Sequence, residues 1–193
     1  MRVFDFDKTL TLKDTTLDFF CHGLGSTRRS FCILYYFTLA VCVKIHLIDV
    51  QTLKSVLLKW RFKNIDSVSW EKHCKEFAKT IVTNELFAKT NWKEENLVIV
   101  SASFQAVLKH LFPTNVKIIA TLVSVENNSV VIIDHLYQGR KRTALEENGI
   151  HSIDEFYTDS LHDRSVMQMA KVVFLVCTQR LESSKKLNFN KFN

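Results

Sequence analysis

Residues that make a backbone flexible or sharply turning are scarce in this 193-residue sequence, which has four glycines and one proline. No internal repeat or low-complexity tract is present either. This composition leaves little material for linkers between separate domains. Because 47% of the residues are hydrophobic, a chain of this length can bury a substantial core, and we expect one unit of moderate size.

Paired cysteines with metal-ligand spacing are also absent, although the chain has five cysteines. Cys32, Cys42, Cys74 and Cys177 stand in apolar stretches that are typical of buried thiols. We therefore expect a reducing, cytoplasmic environment.

A basic stripe interleaved with aromatic residues, as nucleic-acid-binding chains have, is missing too. We therefore expect no nucleic-acid partner. The net charge of +6 at pH 7 instead suits the electrostatic steering of a small anionic substrate.

What the sequence does have is a pair of carboxylates directly after its first apolar residues. Asp5 and Asp7 are two positions apart, so on an extended backbone their side chains lie on one face. A second acidic cluster, with Asp159 and Asp163, follows another short apolar and aromatic run. If both runs are strands of one parallel sheet, the clusters meet at its carboxyl edge, where such sheets bind ligands. Carboxylates in this arrangement suit a hard cation and a phosphate.

Two weaker signals lie between these clusters. The apolar run 97–100 stops at Ser101, which we place at the junction between a strand and a helix over residues 104–111. There the hydroxyl and the free N–H groups of the first helical turn could bind phosphate, or Ser101 could simply cap the helix. Further on, Lys141 opens another helix, and its ammonium could hold a phosphoryl group or belong to a solvated basic face.

In this order the four signals resemble the motifs of the haloacid dehalogenase (HAD) superfamily, and within it the phosphoserine-phosphatase-like branch (subfamily IB) with a helical cap. The resemblance covers essentially the whole chain, with motifs at residues 5–9, Ser101, Lys141 and residues 159–163. The third motif departs from the family pattern, because family members commonly have the lysine where this chain has Arg142. Lys141 is preferred because it keeps the family's spacing to the following leucine, and Arg142 stays as the alternative.

The resemblance implies a role for each motif. Asp5 would be the nucleophile that forms an aspartyl-phosphate, and Asp7 the general acid and then the general base. Mg²⁺ would be held by the side chains of Asp5 and Asp159 and the backbone carbonyl of Asp7, with Asp163 supporting that shell. These oxygen ligands suit magnesium. The phosphate oxygens would be held by Thr9, Ser101, Lys141 and backbone N–H groups near Asp7 and Ala102.

Two further residues bear on the choice of substrate. Asp14 and Arg61 stand where phosphoserine phosphatases have a glutamate that meets the substrate amine and an arginine that reaches its carboxylate. Asp14 is shorter than that glutamate, so the substrate need not be phosphoserine. Alternatively, Asp14 caps the helix that follows it, and Arg61 is the solvated end of a helix begun by Asp49.

The alternation of strand and helix patterns and the resemblance predict an α/β fold. We expect a three-layer Rossmann-like core with a parallel sheet and an inserted, all-helical cap. The catalytic core is placed at residues 1–13 and 90–193, and the cap at residues 14–89. Apolar residues at one-face helical spacing support two of the cap helices: Leu53, Val56, Leu57 and Trp60, then Trp70, Cys74, Phe77 and Ile81.

After Ser101, the pattern predicts strands at residues 118–123, 130–133, 155–159 and 172–177. Asn127 and Asn128 indicate a turn that joins the first two of these strands as a hairpin. We expect this hairpin to lie outside the parallel sheet.

The stretch 31–43 is apolar nearly all round and follows Arg28 and Arg29. It is shorter than the roughly 20 residues that a bilayer-spanning helix needs. We expect it to be the buried central helix of the cap, since helices that are apolar all round are usually interior. Contact with a membrane surface is the less favoured alternative.

Together these patterns predict a magnesium-dependent phosphomonoesterase that acts on a small phosphorylated metabolite through an aspartyl-phosphate. One alternative is a membrane-surface lipid-phosphate phosphatase with the same chemistry. The other is a non-catalytic binding protein on the same fold. No particular oligomeric state is indicated.

Overall fold

A computed structural model describes residues 1–177 and a short strand at residues 185–187. The strands are Arg2–Phe4 (β1), Leu97–Phe104 (β2), Lys117–Glu126 (β3), Ser129–Asp134 (β4), Ile153–Thr158 (β5), Ala170–Leu175 (β6) and Lys185–Leu187 (β7). The helices are Thr16–Cys21 (α1), Ser26–Lys44 (α2), Val50–Arg61 (α3), Ser67–Ala78 (α4), Glu85–Lys89 (α5), Gln105–Leu108 (α6), Gly139–Glu147 (α7) and Arg164–Met167 (α8), with a 3₁₀ turn at Leu161–Asp163.

The strands form one sheet in the order β4-β3-β2-β1-β5-β6-β7. The five strands from β3 to β6 are parallel, and the edge strands β4 and β7 are antiparallel to their neighbours. Alternate residues of β1 face two helical layers, because Val3 packs with residues of α7 and α8 and Phe4 packs with residues of α5 and α6. The predicted α/β class with a Rossmann-like core is confirmed.

The hairpin between β3 and β4 turns at Asn127 and Asn128, whose φ angles of 49° and 58° are left-handed. Asparagine tolerates this conformation, and the turn joins the strands directly. The hairpin prediction is confirmed, but its separation from the parallel sheet is wrong. Strand β3 pairs in parallel with β2, so of the two hairpin strands it is β4 that runs opposite to the parallel strands.

The helix predicted over residues 104–111 is present over half of that range. Strand β2 continues to Phe104, and α6 has four residues, Gln105–Leu108. Pro113 disfavours helical backbone in the residue before it, and residues 109–111 form turns. Ser101 consequently lies within a strand, not at a helix N-terminus.

Five helices, α1 to α5, lie between β1 and β2, where the cap is expected. Asp49 caps α3, because its carboxylate accepts a hydrogen bond of 2.6 Å from the backbone N–H of Thr52. The predicted apolar faces are buried at Leu53 and Leu57 on α3 and, on α4, at Trp70, Cys74 and Phe77.

The cap shares an apolar cluster with the core. Phe19 of α1 contacts the rings of Phe62 and Trp70 in the cap and that of Phe104 in β2. Val130 of β4 belongs to the same buried cluster. The cap therefore packs directly on one end of the sheet. Its division from the core at residues 14–89 stays a prediction, and the last part of the expected core, after residue 177, lies outside the described residues.

Helix α2 is not the buried centre of the cap, so that prediction is wrong. Cys32 is its one fully buried residue. The cap interior is already filled by the aromatic side chains around Phe19, so α2 packs on the outside with one face. Among the described residues, no helix is long and apolar enough to cross a membrane.

The aromatic cap cluster makes the stability of the fold depend on pH through His73. Its ring packs against Phe19 and Phe62, and burial lowers its pKa to about 4. Since this folded-state pKa lies below the unfolded value of about 6.5, the stabilisation is complete above that value and is lost as the pH falls towards 4. Moving from pH 7.5 to 5 should cost the wild type about 1–2 kcal/mol more than His73→Phe, allowing for the solvated part of the ring.

Urea unfolding at the two pH values measures this difference. The matched control is His151→Phe, at an exposed position, which should retain the pH dependence of the wild type. Identical pH dependence in wild type and His73→Phe would contradict the assignment.

Candidate active site

The carboxyl ends of β1, β2 and β5 meet at a cavity of about 340 Å³ that the cap covers. Strand register brings the motifs together, because Phe4 is level with Ile99 of β2 and with Tyr157 of β5. Charged residues from both core and cap line the cavity: Asp5, Asp7, Lys8, Asp14, Lys54, Lys141, Asp159 and Asp163.

Asp5 sits at the base of the cavity in contact with a buried cation. Its backbone N–H donates to the carbonyl of Tyr157 at 2.9 Å, which continues the pairing of β1 with β5. Lys141 Nζ donates to Asp5 Oδ1 at 2.8 Å and to Asp163 Oδ2 at 2.9 Å. Thr158 Oγ1 also donates to Asp163 Oδ2, at 3.0 Å. One ammonium therefore connects the first, third and fourth motifs.

Burial and neighbouring charges shift the pKa values of Asp5 and Lys141. It raises the pKa of Asp5 to about 7, against the opposing charge of Lys141 and with the help of Asp163. Burial also disfavours the charged form of Lys141, but the two carboxylates outweigh it and raise the lysine pKa. Lys141 thus stays an ammonium ion throughout the physiological range.

Asp7 has a different environment. Its Oδ1 accepts hydrogen bonds from the backbone N–H and the hydroxyl of Thr15, at 2.9 and 2.7 Å, and its Oδ2 accepts one from the Ser103 hydroxyl. Burial, with the nearby charge of Asp14, raises the pKa of Asp7 although these hydrogen bonds lower it. A carboxyl that is oriented and has a raised pKa is suited to giving up a proton.

Thr9 connects the first and fourth motifs and does not face the cavity. Its hydroxyl accepts the backbone N–H of Asp159 at 2.9 Å and lies 3.4 Å from Asp159 Oδ1. The side chain of Thr9 is completely buried. Its expected contact with phosphate is therefore not supported, and Thr9 positions Asp159 instead. Burial raises the pKa of Asp159.

The charge of the cavity suits a divalent cation. Five aspartates and three lysines line it, so acidic side chains outnumber lysines by two. No cluster of three or more His, Cys, Asp or Glu side chains converges on a metal position anywhere in the described ranges. The expected set needs fewer, since it has two carboxylates, Asp5 and Asp159, and the carbonyl of Asp7. Asp163 contacts Lys141 and Thr158, so its direct effect is on the lysine.

The residues expected to bind phosphate differ in the hydrogen bonds that they already make and in whether they reach the cavity. Ser101 accepts the backbone N–H of Ser103 on its hydroxyl oxygen at 3.0 Å, and Ala102 accepts Lys54 Nζ on its carbonyl at 2.6 Å. Lys141 reaches the cavity, whereas Arg142 forms an exposed ion pair on α7. Of the two alternatives for the third motif, the structure thus brings Lys141 to the site.

Asp14 and Arg61 lie in different places. Asp14 lines the cavity and also accepts the backbone N–H of Thr16 at 2.8 Å, so both of its expected roles are compatible with the structure. Arg61 does not reach the cavity, which corrects its expected contact with substrate. Its guanidinium donates to the carbonyls of Phe20 and His22, at 3.1 and 2.9 Å. Arginine there satisfies carbonyl groups at the C-terminal end of α1.

Ser103 and Lys54 are among the residues of the site that sequence reasoning missed. Ser103 holds Asp7, and its spacing of two from Ser101 along a strand was a usable signal. Lys54 of α3 is buried and lines the cavity. Burial lowers its pKa to about 8, although Asp7 and Asp14 favour its charged form. The one feature of the sequence that could have identified Lys54 was its position next to the apolar residues of α3.

Comparisons with known proteins support the fold. No family model matches the sequence, and no curated protein matches it. A solved protein of unknown function from Bordetella pertussis Tohama I has a TM-score of 0.70 at 14% identity, over 87% of this chain and 85% of its own. A HAD family hydrolase from Salmonella enterica serovar Typhi has a TM-score of 0.62 at 12% identity, over 88% of this chain and 59% of its own.

A third solved structure, of cytosolic 5′-nucleotidase IIIB bound to cytidine, has a TM-score of 0.50 at 14% identity. It is matched over 88% of this chain and 68% of its own. At such low identities these likenesses show that the chain has a HAD-like fold.

Removing the ammonium of Lys141 should destabilise the protein. Lys141→Met leaves two carboxylates buried without their partner, and we expect the free energy of unfolding to fall by about 3–5 kcal/mol. Urea unfolding at pH 7.5 without divalent cations measures the change. Arg142→Met is the matched control, since it removes an exposed ion pair that contributes about 0.5 kcal/mol or less. Equal losses in the two variants would show that Lys141 is not the central cation.

Proposed function

We propose that this protein is a magnesium-dependent phosphomonoesterase of the HAD superfamily, in its phosphoserine-phosphatase-like branch, acting in the cytoplasm on a small phosphorylated metabolite. The observation that carries the proposal is the contrast between two carboxyls in one cavity. Asp5 contacts the Lys141 ammonium, whereas Asp7 is held by Thr15 and Ser103. Burial raises the pKa of both acids, but the Lys141 ammonium favours the charged form of Asp5. This contact suits Asp5 to be the nucleophile, and the hydrogen-bonded carboxyl of Asp7 suits a proton donor.

The chemistry follows from these environments. A carboxylate oxygen of Asp5 forms a bond to phosphorus while the ester P–O bond breaks, which gives an aspartyl-phosphate and an alkoxide. Asp7 donates its proton to the departing oxygen and then, as a carboxylate, takes a proton from the water that hydrolyses the acyl-phosphate. The product is inorganic phosphate, with Asp5 and Asp7 returned to their starting states.

Other residues hold the phosphoryl group and its charge. The Lys141 ammonium lies beside Asp5 and is placed to attract phosphate oxygens once substrate enters. Mg²⁺ would be held by Asp5, Asp159 and the carbonyl of Asp7, where it would neutralise phosphate charge. The HAD-like fold of the solved neighbours, one described as a hydrolase and one as a nucleotidase, agrees with phosphatase chemistry. The presence of Asp5, Asp7, Asp159 and Asp163 in the lining of one cavity speaks against a purely binding role.

Asp5→Asn and Asp7→Asn should separate the two acids. Asp5→Asn removes the nucleophile, and hydrolysis of an aryl phosphate with Mg²⁺ should fall to background. Asp7→Asn should lower kcat by about 10²–10⁴-fold but retain Mg²⁺ binding, because the carbonyl and not the carboxylate of Asp7 is the proposed ligand. Phosphate release and calorimetric titration with Mg²⁺ measure these effects.

The control is Asp18→Asn, which alters an exposed ion pair with Lys13 and should leave activity unchanged. A folded wild type that hydrolyses no ester in a broad panel, with or without Mg²⁺, overturns the proposal. Loss of Mg²⁺ affinity in Asp7→Asn contradicts the assigned roles.

Lys54 should favour substrates that carry a second negative group beside the phosphate. Lys54→Met should raise KM roughly 10–100-fold for an alkyl phosphate with a carboxylate, the loss expected for a hydrogen bond to a charged group, and leave its neutral analogue unaffected. Since the pKa of Lys54 is about 8, the ammonium is present below that pH, and the preference should fade as the pH rises above it.

Steady-state kinetics on the two esters from pH 6.5 to 9 measure this preference. Lys59→Met, an exposed lysine on the same helix, is the control. Equal KM changes on both esters would mean that Lys54 only supports the cap.

A further inference from the structure

One side of α2 presents an apolar surface to solvent from Phe31 to the C-terminal end of the helix. We call this surface the outer face of α2. Its side chains recur every three or four residues and so lie in one stripe. Their exposed fractions run from 55% to 66%: Phe31, Leu34, Phe37, Val41 and Ile45. Leu47, just after the helix, is 71% exposed. A contiguous apolar surface of this kind marks an interaction site, unlike single exposed apolar residues.

The orientation of α2 is fixed by its opposite side. Tyr36, Ala40 and Val43 line the catalytic cavity, and Cys32 is buried in the cap cluster. Rotation of the helix to bury the outer face would expose those residues and open the cavity. The exposure of the outer face is therefore a consequence of the contacts that the opposite side of α2 makes in the folded cap.

The charged residues of α2 itself are all of one sign. No aspartate or glutamate occurs from Phe19 to Ile48. Arg28 and Arg29 are exposed near one end of the stripe, and Lys44 is exposed near the other. An apolar stripe between basic groups is complementary to an anionic surface that also offers hydrocarbon.

A neighbouring groove is also lined by apolar and basic side chains. Between α2 and α3 lies a cavity of about 640 Å³, lined in part by Arg28, Phe31, Tyr35 and Trp60. The Trp60 ring is 44% exposed and packs edge-on against Tyr35, with the ring centroids 5.6 Å apart. Tryptophan and tyrosine are enriched at the headgroup level of bilayers because their rings are apolar with one polar group.

From these observations we propose that the outer face of α2 docks this protein on the surface of a bilayer containing anionic lipids. The helix lies in the plane of the interface, with Phe31, Leu34 and Phe37 among the acyl chains and the basic residues among the lipid phosphates. A second copy of the chain fits less well, because two-fold symmetry would bring basic groups of both copies together without acidic partners.

Vesicle co-sedimentation tests the proposal without any substrate, so it is independent of the phosphatase assay. Wild type should bind vesicles of phosphatidylcholine with 30% phosphatidylserine at least tenfold more tightly than vesicles of phosphatidylcholine alone, and 0.5 M salt should weaken this binding. The double variant Phe31→Ser/Leu34→Ser should lose at least tenfold in affinity for the anionic vesicles. Arg28→Gln/Arg29→Gln should reduce the preference for them.

The matched control is Val68→Ser/Val82→Ser, which removes two exposed apolar side chains outside the outer face and should bind as wild type. Quenching of tryptophan fluorescence by lipids with brominated acyl chains, lost in Trp60→Phe, gives a second readout. Absence of binding by folded wild type overturns the proposal, as does undiminished binding by the serine variant. A wild-type dimer that Phe31→Ser/Leu34→Ser converts to a monomer would assign the outer face to a second copy.

Discussion

The site depends on the ammonium of Lys141 between the carboxylates of Asp5 and Asp163. These groups come from α7, from the residue after β1 and from the turn after β5, so one cation joins three separate segments at the sheet edge. All three side chains are almost completely buried. Since an unpaired buried charge is strongly destabilising, the segments hold one another in place, and the position of Asp5, the proposed nucleophile, follows from this charge balance.

The cap is fixed to the core by a second set of polar contacts. Thr15 and Ser103 hold Asp7 from the cap side and the core side, and Lys54 of the cap donates to the carbonyl of Ala102 in β2. The aromatic cluster around Phe19 lies beside these bonds. Opening the cap would break them and release Asp7, so the proposed proton donor is held in its orientation only while the cap is closed.

The sheet and its acids were predictable because they depend on local pattern and topology. Apolar runs followed by Asp5 and Asp159 converge wherever both strands lie in one parallel sheet. The residues whose expected roles the structure corrects are held by tertiary contacts. Thr9 and Arg61 find partners in distant segments, and no spacing in the sequence indicates them. Ser101 was placed at the junction of a strand and a helix because an apolar run ending in small hydroxyl residues fits both a strand end and a helix cap.

Helix α2 shows why an all-round apolar pattern does not specify burial. Such a pattern indicates that every face of the helix contacts apolar groups. It does not indicate whether those groups belong to the same chain or to another molecule. In the structure one face covers the candidate active-site cavity through Tyr36 and Val43, and the other, with Phe31 and Leu34, is exposed. A bilayer that engaged the exposed face would reduce the freedom of the same helix to move off the cavity. Docking and cap closure would then be coupled through one rigid element, without further contacts between the two surfaces.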